Sequence, residues 1–394
     1  MQSIPSIQSI LRSAPSLFPT YRVLAASLAL LGGLAACPMQ AHADTVDDYV
    51  RAEMQKRHIP GMTVAVLRDN KLIKESAYGL ASLEHNVATK TETVYTRASM
   101  TKIFTASAIM LLVQDDRIAL DDSITKILPQ LPAAWAGITL RHCLSHTSGL
   151  PDAITDDVNI TTISGDRDIL IQELAKLPLQ PAGEKSLYNQ TGYMLLGMVI
   201  EKISGMPYEQ FVQTHLFQPM GITGAKFGDA WSIIPGRSDL YTSLDISKDH
   251  SKLEMKNGRP VVMKDKIYHY GAKFMPDYLA PAGLLNGNIH DLVSFEQALA
   301  SGKLIKPALI KEMNTPYKLR NGQDGDYGLG FIFMPFGKQA AISYGGGAAT
   351  WRVHLPEKHL TVVVLTNLQG SQPHALAGGV AALYDDGAKK LLRN

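Results

Sequence analysis

Ser99-Met100-Thr101-Lys102 places a hydroxyl and an amine three residues apart. On a helix this spacing brings both side chains to one face, within reach of each other. A serine hydroxyl is a poor nucleophile until a neighbouring group takes its proton, and a lysine desolvated in a cleft can help to do so. At a helix N-terminus, the Ser99 backbone N–H and the helix dipole would also favour a developing oxyanion. The segment therefore indicates nucleophilic chemistry with Ser99 as the nucleophile and Lys102 as its partner.

The same spacing occurs a second time, in Ser123-Ile124-Thr125-Lys126. This second segment follows Asp121 and precedes Pro129, which is typical of a polar helix start at the surface. Ser99 instead opens the most apolar helical run of the chain, Ile103–Val113, which predicts a position beside a buried cleft. We therefore assign the chemistry to Ser99.

Two later segments could complete such a site. Tyr188 lies just before another apolar helical run, and loops that enter helices often carry catalytic side chains, so Tyr188 is the candidate for relaying the proton. Tyr344-Gly345-Gly346-Gly347 ends a predicted strand, and its glycines would let a ligand approach the backbone closely. The Gly347 N–H could complete an oxyanion hole with that of Ser99, although a plain β-turn explains the glycines equally well.

Other chemical patterns are weaker. His142 and His146 have a spacing that can serve a metal, but no Glu or Cys pattern completes the site, so we interpret both as structural histidines. Cys143 lies in an apolar segment and fits a buried hydrophobic residue. The sequence has neither the Gly-x-Ser-x-Gly elbow of α/β-hydrolases nor a phosphate-binding glycine loop. We expect no metal and no cofactor.

The composition is that of a globular protein with room for one large core or two linked cores. The 394 residues are 45% hydrophobic and 19% charged. Without residues 1–43, which contain two arginines and no acidic residue, the 38 basic residues fall to 36 and equal the 36 acidic ones. A neutral chain without a basic run gives no electrostatic reason to expect nucleic acid or an anionic membrane as a partner.

Residues 1–43 are predicted to be a signal peptide. A basic stretch is followed by the apolar run Val23–Ala36 and then by Ala41-His42-Ala43. The run is shorter than the roughly 20 residues that span a bilayer. We therefore expect an exported protein, periplasmic or secreted after cleavage near Ala43. The alternative is a lipoprotein anchored through Cys37, because Leu34-Ala35-Ala36-Cys37 is similar to a lipoprotein processing site, and only then is a membrane a partner.

The elements around these residues change character along the chain. After the signal, Asp47–His58 is predicted to be a helix, and Gly61–Val66 and Leu72–Tyr78 are predicted to form a hairpin that turns at residues 68–70. The middle is largely helical, with apolar-periodic runs at Ile103–Val113, Ile169–Leu177, Tyr193–Ile203 and Leu292–Leu299. Short β runs then precede a final helix, at Gly328–Phe333, Gln339–Tyr344, Trp351–Leu355, Leu360–Leu365 and His374–Leu392.

This order predicts an α+β fold. An antiparallel sheet built from both chain ends and flanked by helices would hold an inserted, mainly helical domain. We place the sheet domain at residues 44–98 and 325–394, and the helical domain, which carries the nucleophile, at residues 99–324. A cleft between them would be the natural ligand site.

With these residues identified, the chain resembles the serine β-lactamase-like and penicillin-binding-protein family. That group includes class C β-lactamases, D-Ala-D-Ala carboxypeptidases, D-aminopeptidases and β-lactamase-like carboxylesterases, and the resemblance implies a β-lactamase/transpeptidase-like fold. It extends from about Gly61 to Leu368. Besides Ser99 to Lys102 it rests on Leu144-Ser145-His146-Thr147-Ser148-Gly149-Leu150-Pro151, Gly192-Tyr193-Met194-Leu195-Leu196-Gly197, Pro281-Ala282-Gly283-Leu284 and Tyr327-Gly328-Leu329-Gly330.

The chain departs from the family pattern at two places. The motif Tyr-x-Asn corresponds to Tyr188-Asn189-Gln190, so Tyr188 matches the catalytic tyrosine and Gln190 stands where an asparagine would help to position substrate. The motif Lys-Thr-Gly or His-x-Gly corresponds to Tyr344-Gly345-Gly346, which lacks the cation that is thought to hold a substrate carboxylate. The esterase branch resembles this chain in tolerating an aromatic residue there.

The resemblance implies a serine hydrolase that works through an acyl-enzyme on Ser99, with Lys102 and Tyr188 sharing the proton. Without the usual carboxylate anchor, we favour a carboxylesterase-like enzyme acting on short acyl esters or amides. A β-lactamase or D-amino-acid peptidase is the alternative if another cation such as Arg352 reaches the cleft. The second alternative is a non-catalytic protein that binds a cell-wall ligand.

Overall fold

The computed structural model describes residues 45–154, 166–244, 255–256, 259–260, 266–270, 275–347 and 349–384. The expected signal at residues 1–43, with Cys37 and the cleavage position near Ala43, lies outside these ranges. Among the described residues, no helix is both long and apolar enough to cross a membrane.

The first hairpin forms where its turn chemistry predicts it. Asp69 and Asn70 both have positive φ, at 48° and 63°, as a two-residue type I′ turn requires, and Asp and Asn tolerate this conformation well. The described strands, in chain order, are β1 (Gly61–Arg68), β2 (Lys71–Ser82), β3 (Val87–Ala88), β4 (Tyr95–Thr96), β5 (Lys226–Phe227), β6 (Tyr241–Thr242), β7 (Met255–Lys256), β8 (Arg259–Pro260), β9 (Tyr268–His269), β10 (Leu285–Gly287), β11 (Ile332–Phe333), β12 (Ile342–Gly346), β13 (Thr350–Leu355), β14 (Leu360–Thr366) and β15 (Leu368–Gln369).

The main sheet joins the two ends of the chain. Its antiparallel order is β11-β12-β13-β14-β1-β2-β3, and β1 pairs with β14 from Met62 opposite Thr366 to Arg68 opposite Leu360. The α-helices are α1 (Thr45–Arg57), α2 (Lys102–Gln114), α3 (Ile124–Ile127), α4 (Leu140–Leu144), α5 (Arg167–Leu174), α6 (Gln190–Ser204), α7 (Tyr208–Val212), α8 (Gln218–Met220), α9 (Ala280–Gly283), α10 (Ile289–Ser301), α11 (Pro307–Met313) and α12 (Pro373–Leu383).

The central strands are buried on both faces, each against its own core. In β1, Val64 and Val66 pack in the core that contains residues of α1 and α12, whereas Ala65 and Leu67 pack in the core built from the helical middle of the chain. The alternation follows from the two-residue period of a strand. The helical part of the chain, which contains Ser99, therefore packs against one face of the sheet.

Two helices form the centre of that helical part. The first eleven residues of α2, from Lys102 to Leu112, are all buried. In α6, the segment from Thr191 to Ile200 is buried on every side. A helix that is apolar all round must be enclosed by other elements, and these two pack against each other and against α9.

The predicted α+β fold, with an antiparallel sheet from both chain ends flanked by helices, is confirmed. The division into a sheet domain and a helical domain stays a prediction. One predicted strand is largely wrong: of Gly328–Phe333 only β11 is extended, because Gly330 has φ +97° and lies against Ala106, where an added Cβ would approach to 2.5 Å. The final helix ends at Leu383 within the described residues, and residues 385–392 of its predicted span lie outside them.

An ion pair ties the sheet to the helical side. Arg352 of β13 donates two hydrogen bonds to the Glu296 carboxylate of α10, at 2.8 and 2.7 Å, and a third to the Ile342 carbonyl at 2.8 Å. Both side chains are buried, so neither charge has water to replace its partner. The pair is a structural link in which each charge depends on the other.

Replacing Glu296 with Gln is expected to lower the free energy of unfolding by about 3 kcal/mol, because it leaves the Arg352 charge buried without a counter-charge. Urea unfolding of the variant measures the loss. The control is Glu173→Gln, which removes an exposed partner of Lys176 and should cost about 0.5 kcal/mol or less. Equal losses in the two variants would contradict a buried, interdependent pair.

Candidate active site

Ser99 lies in a short 3₁₀ turn, Ala98–Thr101, that leads directly into α2. A 3₁₀ turn bonds residue i to residue i+3, and here the Lys102 backbone N–H donates to the Ser99 carbonyl. The turn starts at Ala98 with φ +45°, a conformation that a residue with a Cβ adopts at a cost of about 1 kcal/mol. The Thr101 hydroxyl donates to the Ala98 carbonyl at 2.6 Å and holds the turn closed.

The Lys102 side chain, at the start of α2, is fully buried. Its ammonium donates to Gln190 Oε1 and to the Ala282 carbonyl, each at 2.6 Å. It also lies 4.9 Å from the ring centre of Tyr188 and 5.3 Å from that of Tyr193. Among the described residues, no carboxylate forms an ion pair with this ammonium, so neutral oxygens and ring faces hold it.

Tyr188 is placed by the chain segment 146–152, which runs beside residues 187–191. The Gln190 N–H donates to Asp152 Oδ1 at 3.0 Å, and the Asn189 side chain donates to the Leu150 carbonyl at 2.8 Å. Asn189 also accepts from the Gly192 N–H at 2.7 Å and thereby caps α6. Burial raises the pKa of the Asp152 carboxyl, while the Gln190 N–H and the Lys102 charge act in the opposite direction.

Aromatic rings pack around His146, and two of them, those of Tyr188 and Tyr193, also lie beside the Lys102 ammonium. The imidazole of His146 lies 4.6 Å from the rings of Tyr188 and Tyr327 and 5.1 Å from that of Tyr193. Burial, followed by the neighbouring tyrosines, raises the pKa values of Tyr193, Tyr327 and Tyr344 above their ordinary range, so these three stay protonated. The Tyr344 hydroxyl is buried, and an interaction with the Tyr188 side chain is among the causes that raise its pKa.

The glycines after Tyr344 are required by close packing against the residues around Ser99 and against Trp351. A Cβ on Gly346 would lie 2.0 Å from the Arg97 carbonyl and 2.9 Å from the Ser99 nitrogen. A Cβ on Gly345 would lie 2.1 Å from the indole of Trp351. Gly347 has φ +57° and lies beside Ala98. The strand end therefore meets the backbone of Ser99 directly, as an oxyanion hole shared by Ser99 and Gly347 requires.

One cavity of about 740 Å³ collects most of the predicted residues. Its lining is Ser99, Tyr188, Leu244, Ile332, Met334, Tyr344, Gly345, Gly346, Gly347, Thr350, Trp351, Gly370, Gln372, Pro373 and His374. Lys102 and Gln190 are not among the lining residues, and they are hydrogen-bonded to each other. None of the described lining residues is a lysine, arginine, aspartate or glutamate.

Several other residues singled out in the sequence lie elsewhere or are engaged. Arg352, the candidate cation for a substrate carboxylate, is committed to Glu296. The His142 and His146 imidazoles each accept a backbone N–H through Nδ1, from Thr139 and Asn189 respectively. Cys143 is fully buried, which raises the pKa of its thiol to about 12 and keeps it neutral.

Sequence reasoning missed the role of segment 146–152. The motif from Leu144 to Pro151 stood out in the sequence, but no chemical role followed from it, because its partners lie about 40 residues further along the chain. It also missed the apolar lining from Leu244, Ile332 and Met334. Only the spatial fold brings these residues together.

A model of the Beta-lactamase family matches residues 46–386. The chain belongs to the Beta-lactamase family. The match covers the sheet, the helical middle and every residue assigned to the cavity, which agrees with the resemblance derived from the sequence motifs.

Curated relatives within the family are named as penicillin-binding proteins or related chains. The chain is 29% identical over 322 residues to Penicillin-binding protein 4* of Bacillus subtilis (strain 168), across 79% of this chain and 69% of that protein. It is 28% identical over 231 residues to Protein flp of Staphylococcus aureus (strain MW2), across 56% of this chain. It spans only 43% of the length of flp.

Solved structures share the fold. The octameric penicillin-binding protein homologue from Pyrococcus abyssi superposes with a TM-score of 0.67 at 26% identity, over 86% of this chain and 76% of the other. EstCE1, described as a hydrolase with promiscuous acyltransferase activity, superposes with a TM-score of 0.70 at 20% identity, over 85% and 97%. Chains with this fold therefore include a penicillin-binding protein homologue and a protein described as a hydrolase.

Replacing Gly346 with Ala is expected to lower kcat/KM about a hundredfold, because the added Cβ must displace the strand from the Ser99 backbone. Hydrolysis of p-nitrophenyl butyrate measures the loss, and thermal unfolding measures the packing strain. The control is Gly137→Ala, whose Cβ would meet nothing within 4 Å. Activity of Gly346→Ala equal to that of this control would contradict the packing argument.

Proposed function

We propose that this protein is a serine hydrolase that works through an acyl-enzyme on Ser99 and prefers uncharged acyl esters. One observation carries the proposal: Ser99, Tyr188 and the Tyr344–Gly347 strand end line a single cavity, and the buried ammonium of Lys102 lies 4.9 Å from the ring centre of Tyr188. Nucleophile, proton carriers and oxyanion donors are thus within one site.

The proposed reaction has two steps. In the reactive form, the pair formed by Lys102 and Tyr188 holds one proton fewer than an ammonium and a phenol together. Ser99 Oγ attacks the carbonyl carbon of the substrate, its proton passes to this pair, and the backbone N–H groups of Ser99 and Gly347 bind the oxyanion. The tetrahedral intermediate collapses, the same pair returns the proton to the departing alkoxide, and an alcohol leaves. Water then attacks the acyl-serine, gives its proton to the pair, and releases the acid while Ser99 recovers its proton.

The substrate class follows from the lining of the cavity. Its described walls are apolar at Leu244, Ile332, Met334 and Trp351. They hold no lysine or arginine, and their one basic group is the His374 imidazole. Arg352 is bound to Glu296, so its charge is already compensated. A substrate carboxylate would therefore lose its hydration without gaining a counter-charge, which is costly, whereas a neutral acyl chain would be favoured.

The comparisons support acyl transfer more strongly than any one substrate. EstCE1 is a hydrolase with promiscuous acyltransferase activity, which fits an acyl-enzyme that several acceptors can attack. The similarity to Penicillin-binding protein 4* favours a second candidate, a penicillin-recognising hydrolase or D-amino-acid peptidase. Export, with the mature chain in the periplasm or secreted, remains part of the proposal, as does the absence of a metal, a cofactor and nucleic acid.

Replacing Ser99 with Ala is expected to lower turnover of p-nitrophenyl butyrate about a thousandfold or more, because the nucleophile is lost. The chain supplies its own matched control in the second Ser-x-x-Lys segment. Ser123 Oγ accepts from the Thr125 N–H at the start of α3, so Ser123→Ala should cost about 1 kcal/mol of stability and leave turnover intact. Undiminished turnover by a folded Ser99→Ala variant would remove the assignment.

The substrate preference is tested by comparing kcat/KM for p-nitrophenyl butyrate with that for a cephalosporin, together with the intact mass after incubation with a fluorophosphonate and with a penicillin. We expect faster ester hydrolysis and fluorophosphonate labelling that depends on Ser99. Faster cephalosporin hydrolysis, or a stable penicillin adduct on Ser99, would favour the penicillin-recognising candidate instead. Labelling by neither reagent would favour the non-catalytic binding protein.

A further inference from the structure

His146 contacts the chain on both sides of Tyr188. Its carbonyl accepts the Leu187 N–H at 2.7 Å, and its Nδ1 accepts the Asn189 N–H at 3.0 Å. The residues before and after Tyr188 are therefore both bonded to one residue. With these two peptide groups fixed, the Cα–Cβ direction of Tyr188 has little freedom left.

The imidazole also packs against the Tyr188 ring. The two ring centres are 4.6 Å apart with an interplanar angle of 39°. The rings of Tyr193 and Tyr327 also pack against the imidazole. His146 is 1% exposed, so this packing is dry. Contact with the side chain adds to the two backbone bonds and restricts the ring as well as the backbone.

Histidine fits position 146 both as a hydrogen-bond acceptor and in its backbone conformation. Because Nδ1 accepts a hydrogen bond, the neutral imidazole carries its proton on Nε2, which is buried without a partner among the described residues. Burial, and after it the Lys102 charge, holds the pKa of His146 well below its usual range, so the acceptor is not lost to protonation. His146 has φ +55°, a conformation that His and Asn adopt more readily than most residues.

We propose that His146 is a positioning residue that holds Tyr188 at the correct distance from Ser99 and Lys102 through its uncharged Nδ1 acceptor. It touches neither the substrate nor the reacting atoms in this scheme. The inference rests on the proposed function, since it assigns a purpose to the placement of Tyr188. Its effect should fall on the chemical step, because a proton carrier displaced by about 1 Å transfers its proton poorly.

The test compares two amide variants of the full chain. In His146→Asn, Oδ1 lies near the position of Nδ1 and can accept the Asn189 N–H, whereas in His146→Gln the acceptor lies one bond further out. We expect kcat for p-nitrophenyl butyrate to fall about tenfold to a hundredfold in His146→Gln, with KM little changed, and to be largely recovered in His146→Asn. If the Gln variant does not fold, His146→Phe, which keeps a ring and lacks the acceptor, takes its place.

His142 provides the matched control. It also accepts a backbone N–H through Nδ1, from Thr139, and its ring centre lies 5.8 Å from that of Tyr317. Within the described part of the chain, its hydrogen bonds and ring contact reach no residue of the cavity lining. His142→Asn and His142→Gln should leave kcat unchanged while changing the melting temperature. Equal kcat in the Asn and Gln variants of His146, or a loss matched by the His142 variants, would overturn the inference. Absence of turnover in the wild type would refute the proposed function first, and this inference with it.

Discussion

The burial of the Lys102 ammonium is the constraint on which the site depends. An ammonium taken out of water is tolerated only where oxygen atoms replace its hydration, and here the two acceptors come from different elements, Gln190 at the start of α6 and Ala282 in α9. The start of α2, which follows the turn Ala98–Thr101, must therefore meet α6 and α9 at one point. A fold that separated any of them would leave a buried charge unsatisfied.

The second constraint is the close contact between the main sheet and the turn Ala98–Thr101, which contains Ser99. Gly346 touches the backbone of Arg97 and Ser99, where no side chain would fit. Because β12 is held by β13, and β13 by β14, the position of this strand end is set by the whole sheet. Rigid strands are better suited than a loop to hold oxyanion donors, since donors that are already in place need no reorganisation during the reaction.

Local patterns in the sequence predicted what depends on local chemistry. The hairpin at Asp69-Asn70 follows from turn preferences, and the relation of Ser99 to Lys102 follows from helical spacing. The contacts of His146 with the residues on both sides of Tyr188 could not be predicted, because the Asn189 N–H that His146 accepts lies 43 residues further along the chain. The strand predicted at Gly328–Phe333 failed for a related reason: Gly330 is shaped by a contact with Ala106 of α2, which no local pattern encodes.

The distribution of charge around the site connects its structure to its chemistry. Two arginines lie close behind the cavity walls, and each is bound to a buried carboxylate, Arg97 to Asp291 and Arg352 to Glu296. Lys102 differs from both, since it is held by neutral oxygens and ring faces. Its charge acts on the Asp152 carboxyl, which accepts the Gln190 N–H, without forming an ion pair with it. Because both arginines are paired, neither offers its charge to a ligand in the cavity, and the proposed proton transfer falls to the pair of Lys102 and Tyr188.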